Sequence, residues 1–175
     1  VTDVVLEADE AGSEQDIPRQ NITGWVRKVS DANKKIHILN IKTPRTQRLR
    51  FLAGQQARLE VPGVASTHAH IASCPCDEMS LQFHIADRPA DPFAQYILTR
   101  ARHNDVINIE GPDGHFVLHE DEPNPLVFVA FGLGFAPIKS LIEHAMTLDV
   151  TEHIYLYWIM PEEEDLYLHN HCRAW

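Results

Sequence analysis

Apolar and polar residues change rhythm once along this chain, at Pro125. Before it the rhythm is short. Residues 22–29 and 35–41 alternate apolar and polar side chains, as half-buried strands do. Residues 57–61, 69–73 and 81–86 are further strand candidates. Residues 106–110 and 115–118 flank Gly111-Pro112-Asp113-Gly114, which reads as a turn. Short strands at this spacing predict an antiparallel barrel or sandwich. One helix interrupts them: Asp91 is its cap, Pro92 its first residue, and Phe93, Tyr96, Ile97 and Ala101 share one face.

After Pro125 the pattern is of buried strands and amphipathic helices. Residues 126–131 form a continuous apolar run, of the kind a parallel sheet covers on both faces. Gly132-Leu133-Gly134 is a turn, and residues 135–146 predict a helix with Pro137 in its first turn and Ile138, Leu141, Ile142 and Ala145 at helical spacing. Residues 153–159 are a second buried strand. Residues 163–174 predict a second helix that buries Leu166, Leu168 and Cys172. This β-α-β-α order opens a doubly wound sheet. The expected architecture is an all-β antiparallel barrel over 21–122, then a truncated α/β doubly wound domain over 123–175, with 1–20 as an acidic, polar lead-in.

Composition narrows the function classes. The 175 residues are 44% hydrophobic, enough for a core, and carry a formal net charge of -10. A nucleic-acid partner wants a basic face, and none is visible. No apolar stretch reaches the roughly 18 residues of a membrane span. The cysteines are Cys74, Cys76 and Cys172; an odd count with Cys-Pro-Cys spacing is no disulfide framework, and a cytoplasmic location is expected. No signal or transit peptide is read. The acidic run from Glu162 to Asp165 reads as a solvated helix start. His68 and His70 share a strand face near Cys74 and Cys76, but a fourth ligand and a second shell are missing, so no metal site is predicted. Ser73, Ser140 and Cys172 have no readable triad partners.

Several segments, in order, carry a resemblance. Phe51-Leu52-Ala53-Gly54-Gln55, Ile71-Ala72-Ser73-Cys74-Pro75, Gly111-Pro112-Asp113-Gly114-His115-Phe116, the run from Ala130 to Ser140, and Tyr155-Leu156-Tyr157-Trp158 followed by Asp165-Leu166-Tyr167 together resemble the ferredoxin–NADP reductase superfamily. Thr2–Glu7 is similar to the tail behind a plant-type [2Fe–2S] ferredoxin domain. The resemblance implies an FAD-binding barrel, a nicotinamide-binding α/β domain, and electron transfer from NAD(P)H through FAD to an iron–sulfur or other redox protein or domain. It implies backbone contacts to the cofactors from Ile71, Ala72, Ser73, Gly111, Gly114, Gly132, Gly134 and Pro137.

This chain departs from the family pattern where the chemistry sits. The family's flavin motif places Arg, Tyr and Ser or Thr ahead of Ile71; here those positions are Thr67, Ala69 and His70. His70 is the candidate catalytic group near flavin N5. Asp91 and Pro92 stand where family members present amides to pyrophosphate. Leu133 replaces a Thr in the nicotinamide turn. Acids follow Trp158 where an arginine is expected, which favours NADH over NADPH. Two readings follow: a flavin oxidoreductase with variant contacts, or a degenerate reductase fold that serves as a scaffold or interaction module.

Overall fold

A computed structural model describes residues 17–77, 80–118 and 125–175. The ferredoxin-like tail at Thr2–Glu7 lies outside the described residues. Strands β1 (Gln20–Asp31), β2 (Ile36–Lys42), β3 (Gln56–Val61), β4 (Ala65–His70), β5 (Ser80–Ala86) and β6 (Val106–Asp113) form one sheet in the order β4-β3-β6-β1-β2-β5. Every pair is antiparallel. The edges meet where Ile71, just past β4, bridges Phe83 in β5. The sheet thus curls into the expected barrel, and the alternation seen in sequence points Ile22, Leu39, Ile41, Leu59, Ile107 and Ile109 inward. Helix α1 (Pro92–Thr99) plugs the interior with Phe93, Ala94 and Ile97.

Three strand expectations need correction. β4 lies earlier than residues 69–73, because β3 pairs with it from Val61↔Ala65 to Gln56↔His70. Gly111-Pro112-Asp113 is not a turn but the end of β6: Gly111 pairs with Gln20 and Asp113 with Gln56. A register shift between Gln56 and Arg58 accommodates the proline, which has no amide to give. The turn comes at Gly114, whose φ is 95°. Residues 115–118 form no strand; Leu118 instead packs with Ala53, Leu141 and Ala145.

The second unit pairs β7 (Leu126–Phe131) with β8 (Ile154–Ile159) in parallel, from Leu126↔Ile154 to Phe131↔Ile159. Helix α2 (Phe135–Leu148) fills the space between this sheet and the barrel, so all of Phe135–Ile142 is buried. The strands were expected to be covered on both faces. They are covered on one: Ala130, Phe128, Leu156 and Trp158 pack in the core with α2, while Val127, Val129, Phe131, Tyr155, Tyr157 and Ile159 are exposed. The predicted helix over 163–174 is also corrected. It is a short 3₁₀ turn at Glu163–Asp165 and a brief α3 (His169–Cys172). The break has a cause: the Asp165 carboxylate turns inward to Lys35 Nζ at 2.8 Å, and Leu166 leaves helical geometry with ψ 72°.

Cys74 and Cys76 are joined by a disulfide across Pro75, with Cα atoms 5.1 Å apart, inside the range a disulfide spans. The bridge corrects the expectation, from the odd cysteine count and the Cys-Pro-Cys spacing, of no disulfide framework. Among the described residues no helix is long and apolar enough to cross a membrane.

Candidate functional site

A cavity of about 280 Å³ lies where the two units meet. Thr67 and His70 reach it from β4, Arg88 and Asp91 from the loop into α1, and Leu133 and Gly134 from the β7–α2 turn. Its position follows from topology: the cavity touches the turn at the carboxyl end of β7, where open α/β sheets bind ligands.

The start of α1 is self-capped. Asp91 Oδ1 accepts from Phe93 N at 2.9 Å and Ala94 N at 3.2 Å. Pro92 has no N–H. The donors that a helix start offers to an anion are therefore already satisfied by a carboxylate. A pyrophosphate does not fit at this helix terminus, whereas the rest of the lining joins small and apolar side chains to Thr67, Arg88 and three imidazoles, His68, His70 and His84, a mixture that accepts an apolar ring system with polar edges.

His70 lines the cavity from an exposed position, with Nδ1 3.3 Å from the Gly54 carbonyl oxygen. Gly134 lines it as well, while Gly132 stands just behind. Gly132 adopts φ 55°, in the left-handed region, and its carbonyl accepts from Trp158 Nε1 at 3.1 Å. Trp158 in turn stacks on Phe135 with ring centroids 3.8 Å apart.

The other expected cofactor contacts are placed elsewhere. Ile71 N donates to Gln55 O and Ala72 N to Gln82 O, so these amides are spent within the barrel. Ser73 Oγ accepts from Gln82 N. The carbonyls of Ala72 and Ser73 accept from Lys139 Nζ at 3.1 Å and Ser140 Oγ at 2.7 Å. The segment Ile71-Ala72-Ser73 thus clamps α2 to the barrel and does not line the cavity. Gly111 is wedged in the sheet, where a Cβ would sit 3.0 Å from that of Ala57. The Gly114 carbonyl accepts from Gln55 Nε2. Pro137 is buried in α2. None of these three lines the cavity.

Arg88 and His84 line the cavity although no motif marks them as site residues. Arg88 follows β5 on the loop to α1. His84 is a buried polar residue on β5, between buried Phe83 and Ile85, and that polar interruption of an apolar run was the available signal. Its Nδ1 lies 2.8 Å from the Tyr167 hydroxyl in a hydrogen bond, and its Nε2 lies 3.4 Å from Gln82 Oε1. Burial, reinforced by the Lys139 and His171 charges, pushes its pKa down to about 3, so the ring is neutral at physiological pH. Burial raises the Tyr167 phenol, with a smaller contribution from Cys172. Among the described residues no group of three or more His, Cys, Asp or Glu side chains is placed to hold a metal.

A curled antiparallel barrel with a helix plug, joined through a buried helix to a parallel β-α-β unit whose turn opens on a shared cavity, defines a two-unit reductase fold. The comparisons agree. No family model matches the chain. It is 34% identical over 130 residues to Protein RfbI of Salmonella typhimurium, covering 74% of this chain and 38% of that protein. It is 32% identical over 132 residues to the CDP-6-deoxy-L-threo-D-glycero-4-hexulose-3-dehydrase reductase of Yersinia pestis, covering 75% of this chain and 40% of that one. In structure it is similar to the Amycolatopsis cytochrome P450 reductase GcoB, with TM-score 0.80 and 24% identity over 90% of this chain and 48% of the other. It is similar also to a ferredoxin NADP+ reductase from Neisseria gonorrhoeae with bound FAD and NADP, with TM-score 0.76 and 19% identity over 88% of this chain and 63% of that one. The chain belongs to the ferredoxin–NADP reductase-type superfamily. It spans about 40% of the length of the curated relatives it matches.

Proposed function

We propose that the chain is the flavin- and nicotinamide-facing part of an NAD(P)H oxidoreductase that passes electrons to an iron–sulfur or other redox protein. One observation carries this reading: the cavity joins β4 of the barrel to the Leu133-Gly134 turn of the α/β unit, so groups from both units reach one space. A flavin held there would supply hydride acceptance from a nicotinamide and single-electron release. The chain's part is to hold and orient. In this reading His70 offers its imidazole at the ring edge. Leu133 and Gly134 leave room for a second ring. The acids Glu162, Glu163 and Glu164, exposed beyond the end of β8, repel a 2′-phosphate and favour NADH over NADPH. The division into a barrel over 21–122 and an α/β unit over 123–175, and a cytoplasmic location, belong to the same reading. The names and bound ligands of the relatives support a flavin.

A second reading is a scaffold that binds no flavin. Asp91 on the α1 amides and Ala69 in the cavity wall favour it. A visible spectrum separates the two. Flavin absorbance that stays with the protein through gel filtration, or that appears on adding FAD or FMN, supports the oxidoreductase. A protein that takes up neither overturns it. With flavin loaded, faster bleaching by NADH than by NADPH is the expected order.

A further inference from the structure

We propose that Arg88 is the phosphate anchor of this cavity, and that the site selects a flavin mononucleotide over the dinucleotide. The inference rests on the flavin reading above. Of the described residues that line the cavity, Arg88 alone carries a permanent positive charge. Among the described residues its guanidinium has no ion pair and no side-chain hydrogen bond, although Asp91 lines the same cavity. Such a group is available to a ligand, and its planar fork matches two oxygens of a phosphate.

The rest of the wall limits how much phosphate the site accepts. The α1 amides of Phe93 and Ala94 are taken by Asp91, and Pro92 contributes none. A second phosphate near the helix start meets a carboxylate with no donor to compensate it. Thr67 brings a hydroxyl and no charge. His84, also in the lining, is held neutral by burial. The balance is one guanidinium against one carboxylate. A terminal monophosphate needs one cationic partner, which Arg88 supplies, whereas a pyrophosphate needs further donors that the start of α1 no longer offers. Riboflavin lacks the phosphate and gains nothing from Arg88.

The test is a titration of the purified chain with riboflavin, FMN and FAD, followed by quenching of flavin fluorescence. FMN is expected to bind tightest. Arg88→Ala should weaken FMN about tenfold, to the level of riboflavin, and leave riboflavin unchanged. Arg88→Lys should keep part of the difference. Asp91→Ser keeps a capping hydroxyl, so α1 should persist by circular dichroism, and it should narrow the gap between FMN and FAD. Full FMN affinity in Arg88→Ala, FAD binding as tightly as FMN, or an unchanged FMN-to-FAD ratio in Asp91→Ser overturns the assignment while the flavin reading stands. Failure of all three flavins to bind overturns both.

Discussion

The hydroxyl of Tyr167, from the C-terminal turn, lies 2.8 Å from Nδ1 of His84 on β5 of the barrel. This bond crosses between the two units and is buried at both ends. Tyr167 also meets Trp158 edge-on at 4.9 Å and Phe135 at 6.0 Å between ring centroids. Replacing Tyr167 with Phe keeps the ring packing and strands the His84 nitrogen. The expected cost is about 1–3 kcal/mol in urea unfolding. A double-mutant cycle with His84→Asn should recover part of it.

The same histidine makes stability depend on pH. Its folded pKa is near 3, against an ordinary value of 6.5. The unfolded chain therefore binds a proton that the folded one refuses. Stability from this group is complete above pH 6.5 and falls as pH drops toward 3. The slope approaches about 1.4 kcal/mol per pH unit. The Lys139 and His171 charges add to the effect. The advantage of wild type over His84→Asn in urea midpoint should shrink steadily as pH falls from 7 to 4. Parallel curves would contradict this.

Ser140 donates to the Ser73 carbonyl at 2.7 Å, and its side chain is fully buried. Ser140→Ala leaves that carbonyl without this donor. A loss of about 1–3 kcal/mol is expected, by thermal or urea unfolding. Thr147→Ala is the control: Thr147 bonds Glu143 O within the exposed end of α2, and the change should stay within about 0.5 kcal/mol.

Gly54 adopts φ 93°, and a Cβ there would stand 2.0 Å from the Phe116 carbonyl oxygen. Both the backbone and the space forbid a side chain. Gly54→Ala should cost at least about 2 kcal/mol, visible as a lowered urea midpoint. Gly63→Ala meets no atom within 4 Å. It should cost only the penalty of its positive φ, of order 1 kcal/mol.

Burial pushes the Cys172 thiol up to about 11. Little thiolate exists at neutral pH, so iodoacetamide should label Cys172 slowly, with the rate still rising above pH 9. Fast labelling at pH 7.5, read by mass spectrometry, would contradict this.

Much of the barrel was legible because strand burial has period two. The alternation around Ile22–Val29, and the cap and proline at Asp91-Pro92, are local signals that the structure repeats. Glycine and proline at positions 111 and 112 favour a turn by local chemistry alone. Here the pairs Gln20↔Gly111 and Gln56↔Asp113 hold the proline within a strand. The C-terminal helix was overextended for a similar reason. Its apolar spacing was real, but the inward bond from Asp165 to Lys35 is a contact between residues 130 apart, which no local pattern encodes.

By itself the sequence determined the order of elements, the helix cap, the acidic surroundings and the place of this chain in the reductase-type superfamily. These rest on neighbours along the chain, on residue chemistry or on ordered motifs. Only the tertiary structure decided which of those motif residues face the cavity. It turned Ile71, Ala72 and Ser73 into a clamp on α2, because their amides and carbonyls found partners in distant elements. It brought Arg88, His84 and Leu133 to one space, because the closing barrel and the packing of α2 bring the end of β5 against the β7–α2 turn. Side-chain identity was written in the chain. Which groups were already satisfied, and so which were left for a ligand, depended on contacts that form only on folding.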